Sequence, residues 1–272
     1  MTFDLVLDIG NARIKGGLFE GKQLVDAFAI VAHPMPQEEL MHHLKDKPIK
    51  NVLISSVNAK AEGAVKNTLE QKKIPFCFLD YSQLKLVLDV DEPQALGHDR
   101  IANSYGALAR FPINDCVVID IGTAITADFV TKEGHYLGGM IYPGPQLCAK
   151  ALAEYTDKLP LVSFKKPDSA LAKTTQTHLQ GGIYYGQLGA IERMIAELQL
   201  CAPSPSSVKI IATGGATQID NTSVCADKVA FVDDLKELVD FIDPHLTLCG
   251  LREILNETII PKQPQKLANE RD

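Results

Sequence analysis

The chain begins with a short apolar run that ends in a polar turn. Leu5-Val6-Leu7 is followed by Asp8-Ile9-Gly10-Asn11, and strand-like residues resume from Arg13 to Phe19. Two strand-like runs joined by a tight segment of glycine and asparagine are typical of a β-hairpin. The pattern therefore predicts a hairpin whose tip carries a carboxylate, a glycine and an amide side chain.

The same arrangement returns in the middle of the chain. The apolar run from Cys116 to Ile119 leads into Asp120-Ile121-Gly122-Thr123, and another strand-like run follows from Ile125 to Val130. Because 112 positions separate Asp8 from Asp120, the repetition indicates two related halves with pseudo-twofold symmetry. The alternative is two unrelated hairpins.

Strand and helix patterns alternate through the rest of both halves, which predicts an α/β fold. A glycine-rich loop is expected from Gly138 to Gly144. The predicted strands include 52–57, 76–79 and 208–212, and the predicted helices include 37–44, 61–72, 101–110, 184–200 and 248–256.

The first polar turn has the chemistry needed to hold phosphate. Gly10 lets backbone N–H groups approach an anion, while Asn11 adds an amide donor and Lys15 a positive charge. Asp8 cannot bind phosphate directly. A carboxylate beside a polyphosphate can instead hold Mg²⁺, usually through water, so that the metal bridges the two anions.

The second turn offers hydroxyl donors in place of the amide and the lysine. Thr123 and Thr126 lie close to Gly122 in the sequence, and Asp128 is a second carboxylate after Asp120. Two such turns can clamp a triphosphate from both sides, which provides the positioning and charge compensation of phosphoryl transfer. We therefore expect the turns to face each other across a nucleotide site. Polar hairpin turns are common in β proteins, so the repetition is what favours this interpretation.

Two further segments carry candidate chemistry. Thr213-Gly214-Gly215 follows an apolar run and offers a surface without side chains for an adenine or a ribose, although Gly-Gly is also a routine strand exit. Gly97-His98-Asp99-Arg100 precedes an alanine-rich helix. From the residues alone, Asp99 and Arg100 are typical of a helix start with a local ion pair.

Composition limits the partners of the chain. Its 272 residues are 46% hydrophobic and 22% charged, which is ordinary for a globular protein. The net charge of −7 and the pI of about 5.5 provide no general basic field for nucleic acid or an anionic membrane. The sequence also lacks a signal-like N-terminus and an apolar stretch long enough to span a bilayer. We expect a cytoplasmic protein that binds neither nucleic acid nor membrane.

Four ordered motifs together resemble those of the type III pantothenate kinases. This family belongs to the superfamily that contains the acetate and sugar kinases and actin. The resemblance implies transfer of the γ-phosphate of ATP to the primary hydroxyl of pantothenate, which yields 4'-phosphopantothenate in the first step of coenzyme A biosynthesis. The motifs are Asp8-x-Gly10-Asn11-x-x-x-Lys15, Gly97-x-Asp99-Arg100-x-x-Asn103, Asp120-x-Gly122-Thr123-Ala124-x-Thr126-x-Asp128 and Gly138-Gly139-x-x-x-Pro143-Gly144.

The resemblance also implies a role for most of these residues. Asp99 matches the general base, and Asp120 matches the ligand of a monovalent cation, K⁺ or NH₄⁺. Asp8 is expected to hold Mg²⁺ through water, and Asp128 is a further candidate metal ligand. The expected substrate contacts are Gly97, His98, Asp99, Arg100 and Thr175, and the expected ATP contacts are Asp8, Gly10, Asn11, Lys15, Gly122, Thr123, Thr126, Gly214 and Gly215.

The architecture implied is two ribonuclease-H-like, actin-like ATPase domains, residues 1–112 and 113–272, with the nucleotide cleft between them. The resemblance implies a homodimer with its interface in the second domain. The apolar positions Leu188, Ile191, Ile195 and Leu198 are candidates for that interface or for a core.

Two other functions stay open. One is a kinase for another small hydroxylated or carboxylate acceptor, which the loop from Gly97 to Arg100 disfavours. The other is a non-catalytic regulatory relative of the same fold. Such a regulator would have no need to retain Asp8, Lys15, Asp99, Asp120 and Asp128.

Overall fold

The computed structural model describes residues 2–32, 37–112, 114–217 and 226–258. The chain divides into two compact units, each built on one β-sheet. The first unit contains the residues up to Leu86, Glu92–Ala109 and the chain from Leu246 onwards. The second unit contains Val87–Asp91 and Arg110–His245.

The first unit has a five-stranded sheet in which a three-stranded antiparallel meander is extended by two parallel strands. The strands are β1 (Phe3–Ile9), β2 (Arg13–Glu20), β3 (Gln23–Val31), β4 (Ile49–Ser56) and β5 (Phe76–Phe78), in the order β3-β2-β1-β4-β5. Strand β4 runs parallel to β1, and β5 runs parallel to β4. The helices are α1 (Gln37–His43), α2 (Ala59–Gln71) and α3 (His98–Arg110), together with a C-terminal helix described below.

The alternation of side chains along β1 determines what each face of this sheet carries. Leu5, Leu7 and Ile9 are fully buried in a core that includes Leu40 of α1 and Leu69 of α2. Successive side chains of a strand point to opposite faces. Asp8 therefore lies on the face away from that core.

The second unit has a six-stranded sheet. Its strands are β6 (Val87–Leu88), β7 (Cys116–Ile121), β8 (Ala124–Val130), β9 (His135–Pro143), β10 (Lys209–Thr213) and β11 (Phe241–Ile242), in the order β11-β10-β7-β8-β9-β6. The helices are α4 (Pro145–Glu154), α5 (Thr175–Gln199) and α6 (Ala226–Leu235). Ile119 and Ile121 of β7 are fully buried in a core shared with Ile191 of α5 and Phe231 of α6.

The two sheets repeat one topology. Strands β3-β2-β1-β4-β5 correspond in order and direction to β9-β8-β7-β10-β11, because each series is a meander followed by two parallel strands. Both predicted hairpins are present, with Asp8 opposite Lys15 and Asp120 opposite Thr126. The prediction of an α/β chain with two ribonuclease-H-like domains is confirmed.

The predicted glycine-rich loop from Gly138 to Gly144 is wrong for most of its length, because residues up to Pro143 belong to β9. Glycine is needed there for close strand packing. A Cβ built on Gly139 would overlap the Ala127 carbonyl oxygen and lie 2.8 Å from Asp128 Oδ1. Gly139 therefore serves a strand pairing, Gly138 adopts a φ of +109°, and only Gly144 lies beyond the strand.

The long helix α5 begins earlier than predicted and contributes its apolar residues to the core. Ile191, Ile195 and Leu198 are buried, and Leu188 packs against the same cluster. Of the two interpretations of these positions, the structure supports the core. Among the described residues, no helix combines the length and apolar character needed to cross a bilayer.

The C-terminal helix α7 (Leu246–Glu257) packs against β1, β2 and β4 of the first sheet. A mostly buried ion pair joins Arg252 Nη2 to Asp4 Oδ2 at 3.0 Å, and Arg252 Nε donates to the Gly21 carbonyl at 2.9 Å. The compact units therefore differ from the predicted division at residue 112, since α7 groups with the first unit. The predicted functional domains, 1–112 and 113–272, stay a prediction.

Helix α7 also approaches α3 closely at two glycines. A Cβ on Gly250 would overlap the Ala102 carbonyl oxygen and lie 2.9 Å from the Gly106 nitrogen. A Cβ on Gly106 would lie 2.5 Å from the Leu246 carbonyl oxygen. Backbone atoms cannot rotate away as side chains can, so this helix contact requires glycine.

We expect Gly250→Ala to destabilise the protein by about 3 kcal/mol or more, because the added methyl group forces the two helices apart. The matched control is Gly63→Ala in α2, where an added Cβ has no heavy atom within 4 Å. That control should gain up to about 1 kcal/mol from helix propensity. Urea denaturation measures both variants, and equal effects would contradict the close packing of α3 and α7.

Candidate active site

In the first unit, a row of polar side chains crosses three neighbouring strands. Asp8 of β1 lies opposite Lys15 of β2 and beside Ser55 of β4. Directly paired residues present their side chains on the same face of a sheet, so the ammonium, the carboxylate and the hydroxyl are neighbours. Ser55 Oγ donates to Asp8 Oδ1 at 3.3 Å. This row can place a cation next to a carboxylate that has a second polar neighbour.

The turn after Asp8 is held by the segment that leads into α2. The Gly10 amide donates to the Arg13 carbonyl at 3.0 Å, and the Val57 amide donates to the Ile9 carbonyl at 3.0 Å. Asn58 caps α2 and directs its Nδ2 toward the Gly10 carbonyl at 3.5 Å. Asn11 remains exposed at the tip. The turn is therefore braced from behind, with its tip open to a ligand.

The carboxylate of Asp99 lies in the first turn of α3, directly over Gly97. The Arg100 amide donates to Asp99 Oδ1 at 2.8 Å, and the Gly97 carbonyl accepts from Arg100 and Ile101 to begin the helix. A Cβ on Gly97 would lie 2.5 Å from Asp99 Oδ1. The absence of a side chain at Gly97 thus makes room for this carboxylate, and Arg100 follows it half-buried.

His98 is packed into the same loop. Burial lowers its pKa, while the carboxylates of Asp99 and Glu62 act in the opposite direction. Its Nδ1 is buried and makes no hydrogen bond to any residue within the described ranges. The ring lies 5.0 Å from the Tyr81 ring. Glu62 belongs to the first turn of α2, so the start of α2 borders both the Asp8 turn and the Asp99 loop.

The second unit repeats the polar row with hydroxyls. Asp120 of β7 lies opposite Thr126 of β8 and beside Thr213 of β10. Thr213 is completely buried. The hydroxyl oxygens of Thr126 and Thr213 are both buried, and neither has a hydrogen-bond partner among the residues that the structure describes. Buried polar atoms are usually satisfied, so the two hydroxyls can form hydrogen bonds with a ligand, an ion or water.

The loops around Asp120 are packed at backbone distance. Gly214 has a φ of +101°, and its Cβ would overlap Asp120 Oδ1 and lie 2.6 Å from the Ile121 nitrogen. A Cβ on Gly144 would lie 2.6 Å from the Thr123 carbonyl oxygen, to which the Gly144 amide donates at 3.0 Å. Thr123 itself is exposed at the tip. Gly144 and Gly214 therefore allow the neighbouring loops to pack directly against the backbone of this turn.

A model of the type III pantothenate kinase family matches residues 4–197 of this chain. The chain belongs to the type III pantothenate kinase family. A type III pantothenate kinase of Legionella pneumophila strain Corby is 32% identical over 259 residues, covering 91% of this chain and 96% of its own length. A type III pantothenate kinase 1 of Francisella tularensis subsp. holarctica strain OSU18 is 33% identical over 261 residues, with the same shares covered.

One solved structure supports the fold independently. A Baf family protein of Campylobacter jejuni superposes with a TM-score of 0.56 and 24% identity, covering 93% of this chain and 98% of its own. At this level of identity the similarity shows the shared fold alone. The expected resemblance to type III pantothenate kinases is confirmed by the family match and the curated relatives.

Other predicted site residues of this family member lie apart from the two rows or differ from them in environment. Asp128 is buried, and the Tyr136 hydroxyl donates to its Oδ1 at 2.6 Å. Thr175 is exposed at the start of α5, where Thr174 and Thr177 form a capping box. Gly215 has open space around its Cα. The bond between Asp128 and Tyr136 holds β8 against β9, and a metal role for Asp128 stays a prediction.

The side chains of the two polar rows are suited to binding a cation that also contacts a bound phosphate. Within the described ranges, no three His, Cys, Asp or Glu side chains are grouped as a metal site. Asp8 and Asp120 each provide a single carboxylate with polar neighbours. Mg²⁺ in phosphoryl-transfer sites commonly uses one or two carboxylates plus phosphate oxygens and water. The Asp8 row fits that pattern, and the oxygen-only Asp120 row fits a hard monovalent cation.

The second unit also contains a cavity of about 260 Å³ between α4 and α5. It is lined by Tyr142, Cys148, Leu152, His178, Leu179, Gly182, Ile183, Gly186 and Gln187. None of the predicted site residues lines this cavity. The predicted site residues lie instead on strands, on loops and in the first turns of α3 and α5.

Four further side chains lie close to the predicted site residues, and of these only Thr213 belongs to a segment with predicted chemistry. Ser55 and Thr213 join the rows because parallel strands end there, and a polar residue after an apolar run was the available signal. Tyr81 contacts the Asp99 loop from a separate turn, and the carboxylate of Glu62 in α2 acts electrostatically on His98. These last contacts depend on tertiary packing, so no local pattern indicates them.

We expect Gly214→Ala to destabilise the protein by about 2 kcal/mol or more, because its φ is unfavourable for alanine and the methyl group meets the Ile121 backbone. Gly215→Ala is the matched control, since its added Cβ has nothing within 4 Å. Thermal unfolding of both variants checks this. Equal melting temperatures for both variants would show that the Gly214 contact does not constrain the Asp120 turn.

Proposed function

We propose that this chain transfers the γ-phosphate of ATP to the primary hydroxyl of pantothenate and releases 4'-phosphopantothenate and ADP. Membership of the type III pantothenate kinase family supports the reaction. The observation that carries the proposal is the Asp99 carboxylate, held over a glycine in the first turn of α3. A base in a rigid helix start is positioned for a proton transfer that must be matched to phosphoryl transfer.

Asp99 acts as the general base. Its carboxylate accepts the proton of the pantothenate hydroxyl while that oxygen forms a bond to the γ-phosphorus. The bond from the γ-phosphorus to the bridging oxygen breaks, and ADP leaves with the electron pair. Arg100 binds the pantothenate carboxylate or the charge on the transferred phosphoryl group through charge-assisted hydrogen bonds. Gly97, His98 and Thr175 complete the proposed substrate contacts.

The two polar turns bind the nucleotide. In the first turn, Lys15 and Asn11 contact phosphate oxygens together with the Gly10 backbone, and Asp8 holds Mg²⁺ through water. In the second turn, the backbone of Gly122 and the hydroxyls of Thr123 and Thr126 contact phosphate. The glycines Gly214 and Gly215 accept the adenosine. These assignments are supported by the open tip of the first turn and by the unsatisfied Thr126 hydroxyl.

Asp120 binds a monovalent cation, K⁺ or NH₄⁺. The support is chemical, because the carboxylate stands between the buried hydroxyls of Thr126 and Thr213, whose oxygens have no partner within the described part of the chain. A bound cation compensates phosphate charge when it is present. Asp128 is a further candidate metal ligand.

The chain forms a homodimer through its second unit. Several large apolar side chains of that unit are exposed, and those that lie next to one another would offer a surface for a second copy of the chain. Because Ile191, Ile195 and Leu198 lie in the core, the interface that we propose uses other side chains of the unit. The exposed candidates are Leu137, Ile141, Leu147, Leu152, Tyr155, Leu161, Leu171 and Tyr185.

Asp99→Asn should fold normally and lower turnover with pantothenate by about 100-fold or more, since general bases contribute at least that much. ADP release, coupled to a spectroscopic readout, measures the rate with pantothenate, acetate and a sugar panel, with and without K⁺. Glu92→Gln, an exposed carboxylate close in sequence, is the matched control and should keep the parental rate.

Asp120→Asn should weaken the response to K⁺ in the same assay.

A parental rate in Asp99→Asn would overturn the general-base assignment. A preference of the unmodified protein for acetate or a sugar would replace pantothenate as the acceptor. Absence of ADP release with every acceptor would favour the non-catalytic alternative.

A further inference from the structure

Tyr81 contacts the Asp99 loop of the first unit at two points. It begins a short 3₁₀ turn, Tyr81–Gln83, which Asp80 caps by accepting from the Ser82 amide at 2.9 Å. The Tyr81 hydroxyl donates to the Leu96 carbonyl at 2.5 Å. Its ring lies 5.0 Å from the His98 ring at an interplanar angle of 50°. One side chain therefore touches the residues on both sides of Gly97.

Gly97 is the part of this loop that most needs an outside restraint. Glycine has the widest conformational freedom of any residue, and here a Cβ would lie 2.5 Å from Asp99 Oδ1, so a larger residue would displace this carboxylate. Leu96 precedes it and is buried at the end of a second 3₁₀ turn. The hydrogen bond to the Leu96 carbonyl and the packing against His98 limit that freedom from both ends.

We propose that Tyr81 is a positioning residue for Asp99, fixing the loop through the Leu96 carbonyl and the His98 ring so that the carboxylate is held where the acceptor hydroxyl binds. The inference rests on the proposed function, because it gives Asp99 a reacting partner. Tyr81 itself contacts neither the acceptor nor the phosphate in this scheme. Its effect on turnover passes entirely through Asp99.

The state of the hydroxyl agrees with this role. Burial raises the pKa of Tyr81, and the negative charge of Asp99 raises it further. The hydroxyl thus stays protonated and remains a donor to the Leu96 carbonyl at neutral and moderately alkaline pH. The acceptor of this hydrogen bond is the backbone carbonyl of Leu96, which no side-chain substitution at Leu96 removes. The test must therefore be made at Tyr81.

Tyr81→Phe removes the hydroxyl and retains the ring contact with His98. We expect kcat with pantothenate to fall about tenfold, while KM for ATP changes less than about twofold. A displaced base lowers the rate of phosphoryl transfer and leaves nucleotide binding unchanged. In an Asp99→Asn background the same substitution should lower kcat by less than about twofold, since residues acting as one unit are not additive. A further tenfold fall in that background would overturn the inference.

Tyr105→Phe is the matched control for loss of a buried hydroxyl in the same unit. Tyr105 accepts from the Lys85 and Leu86 amides at 2.8 and 3.2 Å and donates to Glu257 at 3.1 Å, without touching Leu96. We expect it to change kcat by less than about twofold even if its melting temperature falls. Equal losses of kcat in the two variants would show a general structural effect and contradict the positioning role.

Hydrogen–deuterium exchange provides a readout that needs no activity. Tyr81→Phe should accelerate exchange of amides between residues 97 and 103 by about tenfold relative to the unmodified protein, because the loop opens locally more often. Unchanged exchange there would overturn the inference, whatever the kinetics. If the unmodified protein fails to phosphorylate pantothenate, the proposed function falls, while the exchange result still decides whether Tyr81 holds the loop.

Discussion

The register of paired strands is the constraint on which both halves of the proposed site depend. In each sheet an aspartate near the end of β1 or β7 is flanked by polar side chains on the two neighbouring strands, Lys15 and Ser55 or Thr126 and Thr213. The side-chain period of a strand is two residues, so a slip of one residue would turn these groups into the core. The fully buried apolar residues beside each aspartate make such a slip costly.

The surrounding structure can be understood as support for these two rows. Glycines at 139, 144 and 214 allow backbone to approach backbone around Asp120 and its neighbours. The start of α2 braces the Asp8 turn through Asn58 and borders His98 through Glu62. The buried hydroxyls of Thr126 and Thr213 carry a cost, since an unsatisfied buried polar group costs about 1 to 3 kcal/mol. A ligand, an ion or a water molecule that forms hydrogen bonds with these hydroxyls would remove that cost.

Much of this arrangement can be predicted from the sequence. The two acidic glycine turns and their spacing predict the duplicated sheets, because apolar runs ending in Asp and Gly are local signals. The resemblance to the family identifies the loop at Asp99, whose residues alone indicate only a helix start. What the sequence does not reveal is cross-strand placement. Thr213 becomes part of the site because β10 pairs with β7 in one register, and Tyr81 because a distant turn packs on His98.

The structure differs from the sequence-based prediction at two places, and in both the cause is a tertiary contact. The segment from Gly138 is glycine-rich for reasons of strand packing, so its composition suggests a loop that tertiary contact converts to a strand. Helix α7 follows the second half in sequence, yet the charge of Arg252 pairs with Asp4 of the first strand. Neither feature has a local pattern that distinguishes it.

In the proposed function, the polar row around Asp120 is reserved for the nucleotide and its ions. Isothermal titration of Mg-ATP into Thr213→Val is the sharpest test of that role, because valine keeps the shape and removes the unsatisfied hydroxyl. We expect the affinity for Mg-ATP to weaken by about fivefold or more, while the ligand-free variant is at least as stable as the parent protein. Unchanged affinity, together with lower stability of the ligand-free variant, would contradict the claim and assign the hydroxyl a purely structural part.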